Sequence, residues 1–370
     1  MKKVYPWLLE SAYTQPLSPA CKMCAQGKKM VLLVTGLCSA KCFYCPLSFK
    51  KSGKDVIYAD EWKLTHEKDT EKLILEANYI QASGVGITGG DPLLVWRRVE
   101  KYILLLKDTF GSKFHIHLYT SGTTNTQFLE NIIAAGLDEI RFHPQPHLWS
   151  QLQYSPYKKL IKDLQKTDID IAFEIPVIPG YEQDIINLIE WADMYQLQWV
   201  NLNELEYSEQ NSYIFHKKGY TIKHDLSAAV QGSQETASRV LETVAHHDVS
   251  IGVHYCSVSF KDGIQLRNRI KRRAQGVAKP YEIISDDGTL LKGVVISKNR
   301  SVQSVYTQLH TTYKIPQRYL FKDVEKNRVE LAGWILEKHA ATLRAQGYEC
   351  FIVEEYPTAD RLEVERIPLP

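Results

Sequence analysis

The sequence lacks the features of a membrane or secreted protein. It has no apolar run long enough to span a bilayer. Its first residues, MKKVYPWLLESAYTQPLSPA, contain neither the continuous apolar stretch nor the small-residue cleavage site of a signal peptide. Internal repeats at a solenoid period and low-complexity segments are missing as well. These absences favour a globular protein of the cytoplasm.

Excess charge and cysteine are also scarce. The 45 Lys and Arg residues nearly balance the 43 Asp and Glu residues, so the net charge of +2 does not by itself indicate a nucleic-acid partner. Seven cysteines in 370 residues are too few, and odd in number, for a disulfide framework. In a reducing compartment such cysteines are usually metal ligands, reactive thiols or core residues.

Short apolar segments alternate with amphipathic ones along the first half of the chain. The run KKMVLLVTG predicts a buried parallel strand, and residues 67–82 predict the helix that follows it. This pattern recurs about six times up to Glu206, which predicts a partial (β/α)6 barrel of the α/β class. Ligands of such folds lie at the carboxyl ends of the strands. The segments that follow predicted strands there are CSAKCFYCPLS, TGGDP, YTSG, HPQPH and IPGYE.

The sequence as a whole divides into four predicted segments. Residues 1–29 form an N-terminal extension with a CxxC motif, 30–260 form the barrel core, and 261–279 form a basic helix and linker. Residues 280–370 predict a smaller α+β module. Within this module we expect a hairpin that turns at Asp287-Gly288, a long helix over about 324–345 and two final strands.

Three cysteines lie within eight positions of the first strand-end loop. Cys38, Cys42 and Cys45 have the spacing CxxxCxxC. Three thiolates on a short loop can bind three corners of a [4Fe–4S] cluster and leave the fourth iron open for chemistry. A structural zinc site would need a fourth protein ligand, and the loop contains none.

This motif resembles the signature of the radical S-adenosylmethionine (radical SAM) superfamily, with the aromatic Tyr44 directly before the third cysteine. The resemblance implies that the open iron binds the amino and carboxylate groups of S-adenosylmethionine. It also implies that reductive cleavage gives a 5′-deoxyadenosyl radical, which abstracts hydrogen. The chain is similar to an archaeal group related to pyruvate formate-lyase activating enzyme, which shares the upstream cysteine pair and the EEYPT ending.

Further segments resemble cofactor-binding motifs of that superfamily. TGGDP is similar to the "GGE" element that meets the methionine ammonium group, YTSG to a ribose-contacting strand end, and VIPG to a strand end beside the adenine. The resemblance thus implies a set of cofactor-binding residues: Tyr44, Thr88, Gly89, Gly90, Asp91, Tyr119, Thr120, Ser121, Glu174 and Ile178.

Cys21 and Cys24 suggest a second metal site. Their CxxC precedes the first barrel strand, and Cys256 lies far downstream, two residues after His254. Strand residues two apart point to the same face, so His254 and Cys256 can both meet the CxxC pair. The four residues predict either a zinc site or a second iron–sulfur cluster. Cys350 lies on an apolar strand and is predicted to be a core residue.

Other polar residues are candidates for contacts with substrate. His143 follows a strand into the predicted cavity, where it could donate a proton or orient substrate. Glu204 and Glu206 end the sixth strand at the same mouth, with Glu174 deeper. A crowded basic segment is either a phosphate-binding face or solvated surface, and it contains Arg267, Arg269, Lys271, Arg272 and Arg273.

The leading hypothesis is a radical SAM enzyme that acts on a macromolecule, with a ferredoxin or flavodoxin as electron donor. Glycyl-radical activation of a protein, tRNA modification and C-methylation remain open, the last requiring a methyl carrier such as cobalamin. The alternative from another class is a non-catalytic zinc protein that binds RNA.

Overall fold

The computed structural model describes residues 2–224, 227–247 and 249–370. The chain divides into two compact units, of which the first contains Met1–Ala77 and Ala82–Leu266 and the second Asn78–Gln81 and Arg267–Pro370. The division falls inside the segment 261–279 that was expected as helix and linker. The N-terminal extension is part of the first unit rather than a separate segment. None of the described helices has the length and apolar character needed to cross a bilayer.

The first unit contains thirteen strands among its described residues. They are β1 (Tyr5–Pro6), β2 (Ala12–Tyr13), β3 (Lys29–Thr35), β4 (Ile57–Ala59), β5 (Trp62–Leu64), β6 (Gly84–Gly89), β7 (His115–Thr120), β8 (Glu139–Phe142), β9 (Asp170–Val177), β10 (Trp199–Glu204), β11 (Ile222–His224), β12 (Ser227–Val230) and β13 (Gly252–Cys256).

The helices of this half of the chain alternate with the strands. They are α1 (Pro19–Ala25), α2 (Thr70–Tyr79), α3 (Trp96–Phe110), α4 (Leu129–Ala134), α5 (Tyr157–Leu164), α6 (Glu182–Met194), α7 (Ser212–Lys217), α8 (Ser233–His246) and α9 (Val258–Phe260). A π-helical turn, Lys261–Leu266, follows α9. In α3 the buried residues Val99, Tyr102, Ile103 and Leu106 recur at helical spacing, and the helix ends at Gly111.

Eleven of these strands form one sheet in the order β1-β2-β13-β10-β9-β8-β7-β6-β3-β4-β5. The seven strands from β13 to β3 are parallel, and short antiparallel hairpins extend both edges. The open partial barrel that the sequence predicted is therefore confirmed, with β13 as a seventh parallel strand. Parallel strands place their carboxyl ends, and the loops that follow, at one edge.

The two faces of this sheet differ in chemistry. The face covered by helices is apolar, with Ile116, Leu118, Ile140, Phe142 and Phe173 all fully buried. The opposite face, called here the inner face, is lined in register by polar side chains. These are Lys29, His115, His117, Tyr119, Glu139, Arg141, Glu174, Asn201, Asn203, His254 and Cys256. A barrel interior is more often filled by branched apolar residues.

The second unit is an antiparallel sheet with two helices on one face. Its elements are α10 (Arg267–Val277), β14 (Ile283–Ile284), β15 (Leu290–Ile296), α11 (Val302–Thr311), β16 (Leu320–Asp323), β17 (Arg328–Leu331), α12 (Gly333–Ala345), β18 (Glu349–Glu355) and β19 (Glu363–Pro368). The sheet order is β16-β17-β15-β18-β19, and β14 pairs with β15 around the expected turn at Gly288. Cys350 is buried in the apolar core, as its strand pattern indicated.

One predicted helix of this unit is wrong at its start. Residues 320–331 form the hairpin of β16 and β17, so only Gly333–Ala345 of the expected 324–345 is helical. Local turn chemistry explains the difference. Asn327 has a left-handed backbone with φ of 49°, and the Asp323 carboxylate accepts a hydrogen bond from the Lys326 amide.

The basic segment is largely committed to contacts within the second unit. Arg272 donates to the backbone carbonyls of Ile80 and Gln81 at 2.6 and 3.0 Å. Arg267 pairs with Asp287 at 3.0 Å, and Arg273 is buried beside the ring of Tyr79. These side chains therefore stabilise the unit and do not form an unpaired cationic face.

Candidate functional site

The cysteine loop follows β3 at the carboxyl edge of the parallel strands. Cys38 is exposed, whereas Cys42 and Cys45 are partly buried. Burial raises the pKa of Cys38 to about 11 and also raises that of Cys42, so both are thiols until a metal displaces their protons. The Cys45 amide donates to the Cys42 carbonyl at 3.2 Å, which tightens the end of the loop.

The donor set of the loop favours an iron–sulfur cluster over a zinc ion. Its three free thiols can bind three corners of a [4Fe–4S] cluster, whereas a structural zinc ion needs a fourth protein ligand, which the loop lacks. Elsewhere among the described residues, His115, His117 and Glu139 place one ligand atom each within 4.8 Å of one another.

Two glycines at the end of β6 hold this loop in place. An added Cβ would lie 2.1 Å from the Thr35 carbonyl oxygen at Gly89 and 2.1 Å from the Leu37 carbonyl oxygen at Gly90. The backbone is this close because the Gly90 amide donates to Thr35 at 2.8 Å and the Asp91 amide donates to Leu37 at 2.7 Å. We call these contacts the glycine clamp. Glycine is therefore required at both positions because the backbone of this segment packs directly against the backbone at the end of β3 and just after it.

A side chain at Gly90 should displace the cysteine loop. We expect Gly90→Ala to lower the iron content of anaerobically purified protein severalfold, because the Leu37 backbone must move away from the new methyl group. Gly111→Ala is the control, since its left-handed backbone disfavours alanine by about 1 kcal/mol but no atom lies within 4 Å of the added Cβ. Equal iron in the two variants and the wild type would contradict the role of the clamp.

Asp91 extends the clamp to a third strand. Its buried carboxylate accepts hydrogen bonds from the Thr120 hydroxyl at 2.7 Å and the Ser121 hydroxyl at 2.5 Å, at the end of β7 and directly after it. It also accepts from the Leu93 amide at 3.1 Å and caps the 3-10 turn Pro92–Val95. These three polar side chains, which the sequence suggested as cofactor contacts, are therefore occupied with one another. The observed role is to join the ends of β6 and β7.

Tyr44 connects the cysteine loop to the barrel interior. Its hydroxyl is close to the Cys42 thiol and lies 2.9 Å from His143 Nε2. His143 Nδ1 lies 2.7 Å from the Glu174 carbonyl oxygen, which can only accept, so this nitrogen carries the proton and Nε2 accepts from Tyr44. Burial lowers the pKa of His143, which keeps the ring neutral. Both ring nitrogens are thus in use, and His143 positions Tyr44 instead of offering a free proton to substrate.

Removing the imidazole should reveal its coupling to Tyr44. His143→Phe leaves a buried hydroxyl and a backbone carbonyl without their partner, so we expect a loss of about 1–3 kcal/mol in urea unfolding. Tyr44→Phe removes the same hydrogen bond from the other side. The double variant should therefore lose less than the sum of the single variants. Additive losses would show that the two side chains do not interact.

The inner face carries a buried ionic network beneath these residues. Arg141 donates to Glu139 at 2.6 Å and to Glu174 at 2.7 Å. Glu174 also accepts from Asn201 at 3.2 Å and Asn203 at 2.9 Å, and despite burial these partners lower its pKa. Glu174 is therefore a fixed anion of the network.

Tyr119 lies in the same network and not at the carboxyl edge. Its hydroxyl accepts from Arg141 at 3.4 Å, and its ring packs edge-on against His117 with centroids 4.8 Å apart. Thr88 is partly exposed on β6, and Ile178 is fully buried directly after β9.

Of the two carboxylates predicted at the end of β10, Glu204 lies elsewhere than expected. Glu204 follows Asn203 on β10 and so points to the opposite face, where it accepts from the Val258 amide at 2.7 Å and lies 3.8 Å from the Lys223 amine. It is buried, away from the predicted mouth. Glu206 lies beyond β10 and pairs with Lys261 at 3.5 Å.

Sequence reasoning missed the central residues of the inner face, Arg141, Glu139 and Lys29. Lys29 donates to the His115 and Val85 carbonyls, and burial lowers its pKa to about 7. A usable signal was present, because HIHLY and EIRFH alternate polar and apolar residues within otherwise buried strands.

Two members of the His115, His117 and Glu139 group already have partners within the same network. His115 Nδ1 lies 2.8 Å from the Lys29 amine, and Glu139 pairs with Arg141 at 2.6 Å.

Comparison with known proteins agrees with this geometry. Residues 32–192 match the family model of the radical SAM superfamily. A protein of Methanocaldococcus jannaschii, provisionally named a glycyl-radical enzyme activating enzyme, is 40% identical over 361 residues, which cover 95% of this chain and 93% of the relative. The chain belongs to the radical SAM superfamily. Residues 288–369, in the second unit, match a family described as a domain of unknown function, DUF8061.

Solved structures give weaker likenesses. The chain is 14% identical to SuiB of Streptococcus suis bound to S-adenosylmethionine, with a TM-score of 0.46, and covers 50% of that chain with 62% of its own residues. For TsrM of Kitasatospora setae, with cobalamin and a [4Fe–4S] cluster bound, the identity is 12%, the TM-score 0.36 and the coverage 52% of that chain and 67% of this one. The chain thus spans about half the length of these structures.

Membership of the radical SAM superfamily confirms the predictions of enzyme class and of the two cofactors. The protein is an enzyme that uses S-adenosylmethionine and a [4Fe–4S] cluster. This decides against the alternative of a non-catalytic zinc protein.

Proposed function

We propose that Cys38, Cys42 and Cys45 hold the [4Fe–4S] cluster and that this radical SAM enzyme abstracts a hydrogen atom from a protein substrate. The observation that carries the first part is a loop with three free thiols, clamped at the carboxyl edge of the parallel strands. The second part is supported by the archaeal relative, whose name describes a glycyl-radical enzyme activating enzyme. Glycyl-radical activation is therefore the proposed reaction.

In this proposal, the bound cluster and the backbone of the glycine clamp have separate roles. The bound cluster supplies the electron that splits S-adenosylmethionine into methionine and a 5′-deoxyadenosyl radical, which takes a hydrogen atom and leaves as 5′-deoxyadenosine. A ferredoxin or flavodoxin is the proposed source of that electron. The amides of Gly90 and Asp91 are already paired with Thr35 and Leu37. The backbone of this segment is consequently left with carbonyl oxygens, which suit an ammonium group.

Loss of one loop thiol should abolish the reaction. We expect Cys42→Ala, assayed anaerobically with S-adenosylmethionine and dithionite, to form at least a hundredfold less 5′-deoxyadenosine than the wild type, because a cluster held by two thiolates is not retained. Cys350→Ala is the control for the loss of a cysteine, since this side chain is buried in the core of the second unit. Undiminished 5′-deoxyadenosine from Cys42→Ala would refute the assignment of the cluster.

The substrate class can be read from the hydrogen that the product carries. Cells that lack the gene are grown in deuterated medium, and their protein and RNA fractions are given separately to the enzyme. We expect deuterium in 5′-deoxyadenosine, detected by mass spectrometry, with the protein fraction only. Deuterium from the RNA fraction would contradict the proposal and favour tRNA modification, for which the paired arginines of α10 offer no specific support. Undeuterated fractions are the control for exchange with solvent.

A further inference from the structure

The structure brings the second group of cysteines together inside the first unit. Cys21 and Cys24 lie one turn apart on α1, so their side chains share one face of the helix. The Cys21 thiol donates to the Asn201 side chain, with a sulfur–oxygen distance of 3.6 Å. Asn201 on β10 is paired in register with His254 on β13. Helix α1 therefore packs against the part of the inner face that carries His254 and, two residues on, Cys256.

His254 is the independent sign of a ligand in this region. The side chain is buried, with 4% of the residue exposed, yet neither ring nitrogen has a hydrogen-bond partner among the described residues. The ring of Trp7 packs beside it with centroids 5.3 Å apart, which fixes the imidazole. Buried polar groups in proteins are nearly always paired, because an unpaired one costs about 1–3 kcal/mol. A neutral imidazole with free nitrogens is the form that binds metals.

The surroundings suit anionic sulfur. Arg141 lies 3.9 Å from the Cys21 sulfur, and the Gln265 amide donates to the Cys256 sulfur at 3.5 Å. The Lys261 amine is also near Cys256. Donors and cations of this kind surround the thiolates of buried iron–sulfur clusters, whose negative charge needs compensation.

We propose that Cys21, Cys24 and Cys256 bind a second iron–sulfur cluster of the [4Fe–4S] type, with His254 as the fourth ligand. Zinc is the less suitable ion, because a reduced [4Fe–4S] core carries one positive charge less than a zinc ion. With the same ligands the reduced cluster is therefore the more anionic centre, and the Arg141 guanidinium and the Lys261 amine beside the sulfurs compensate that charge.

Two complementary sets of cysteine substitutions, each followed by iron and sulfide analysis, test this site. In the first, Cys38, Cys42 and Cys45 are all replaced by Ala, and the anaerobically purified protein should remain brown and retain about four iron and four sulfide per chain. Adding Cys21→Ser and Cys24→Ser should then remove this iron. Adding Cys350→Ser instead should leave it unchanged. In the second, Cys21→Ser with Cys24→Ser in the otherwise native chain should lower the iron content from about eight to about four.

The role of His254 has its own readout. The variant without the three loop thiols is reduced and examined by pulsed electron paramagnetic resonance. Its spectrum should show coupling to a histidine nitrogen, and adding His254→Gln should abolish that coupling. A wild-type iron content of about four, or iron that survives both Cys21→Ser and Cys24→Ser, would overturn the site. Zinc in place of iron in the variant without the three loop thiols would overturn the cluster. The iron and sulfide contents are measured without the 5′-deoxyadenosine assay, so the second cluster and the proposed reaction can be disproved separately.

Discussion

The contact of two glycines with the backbone of the cysteine loop is the constraint on which the rest of the site depends. No side chain fits at Gly89 or Gly90, because carbonyl oxygens of Thr35 and Leu37 occupy the space that a Cβ would need. The amides of Gly90 and Asp91 donate the hydrogen bonds that hold this contact. The Asp91 carboxylate then ties the next strand end through Thr120 and Ser121. Three strand ends are thereby fixed to one another, so the protein itself determines the position of the loop. Such preorganisation spares the cofactor the free energy of ordering a flexible segment.

The ionic network of the inner face supports the loop from below. Burying Arg141 alone would be costly, but its two carboxylate partners and their amide neighbours offset that cost. The network fixes β9, and the Glu174 carbonyl of that strand accepts from His143, which in turn accepts from Tyr44. Strand β9 therefore connects the charged interior, through the Glu174 side chain, to the residue beside Cys45, through the Glu174 carbonyl. The interior can be polar because its charges are paired, and the Glu174 carbonyl determines the tautomer of His143.

How much of this could be predicted from the sequence depends on the range of each interaction. The cysteine spacing, the glycine motif and the alternation of strands and helices are local, and they were sufficient for the fold class, the enzyme family and the cofactors. Glu204 shows where local sequence patterns stop being sufficient. A shift of one residue along a strand decides whether its side chain faces the interior or the outer layer. The same holds for His143, whose partners are 99 and 31 residues away in the chain. The helix expected over 324–345 failed for a local reason, since the turn-forming residues Asp323 and Asn327 outweighed its apolar periodicity.

Cys24, Cys42 and Cys45 are all partly buried, but the remaining members of the two cysteine groups differ in exposure. Cys38 is exposed, and its loop lies at the edge of the sheet where small molecules can arrive. Cys21 and Cys256 are each 6% exposed, and burial raises the pKa of Cys21 to about 12 in spite of Arg141. A metal centre with an open position has to be reachable by substrate, whereas a closed centre with four protein ligands does not. A cluster at the buried site would therefore not compete for S-adenosylmethionine. Because it would join α1 to β13, its contribution would be to hold the N-terminal segment on the barrel or to pass electrons.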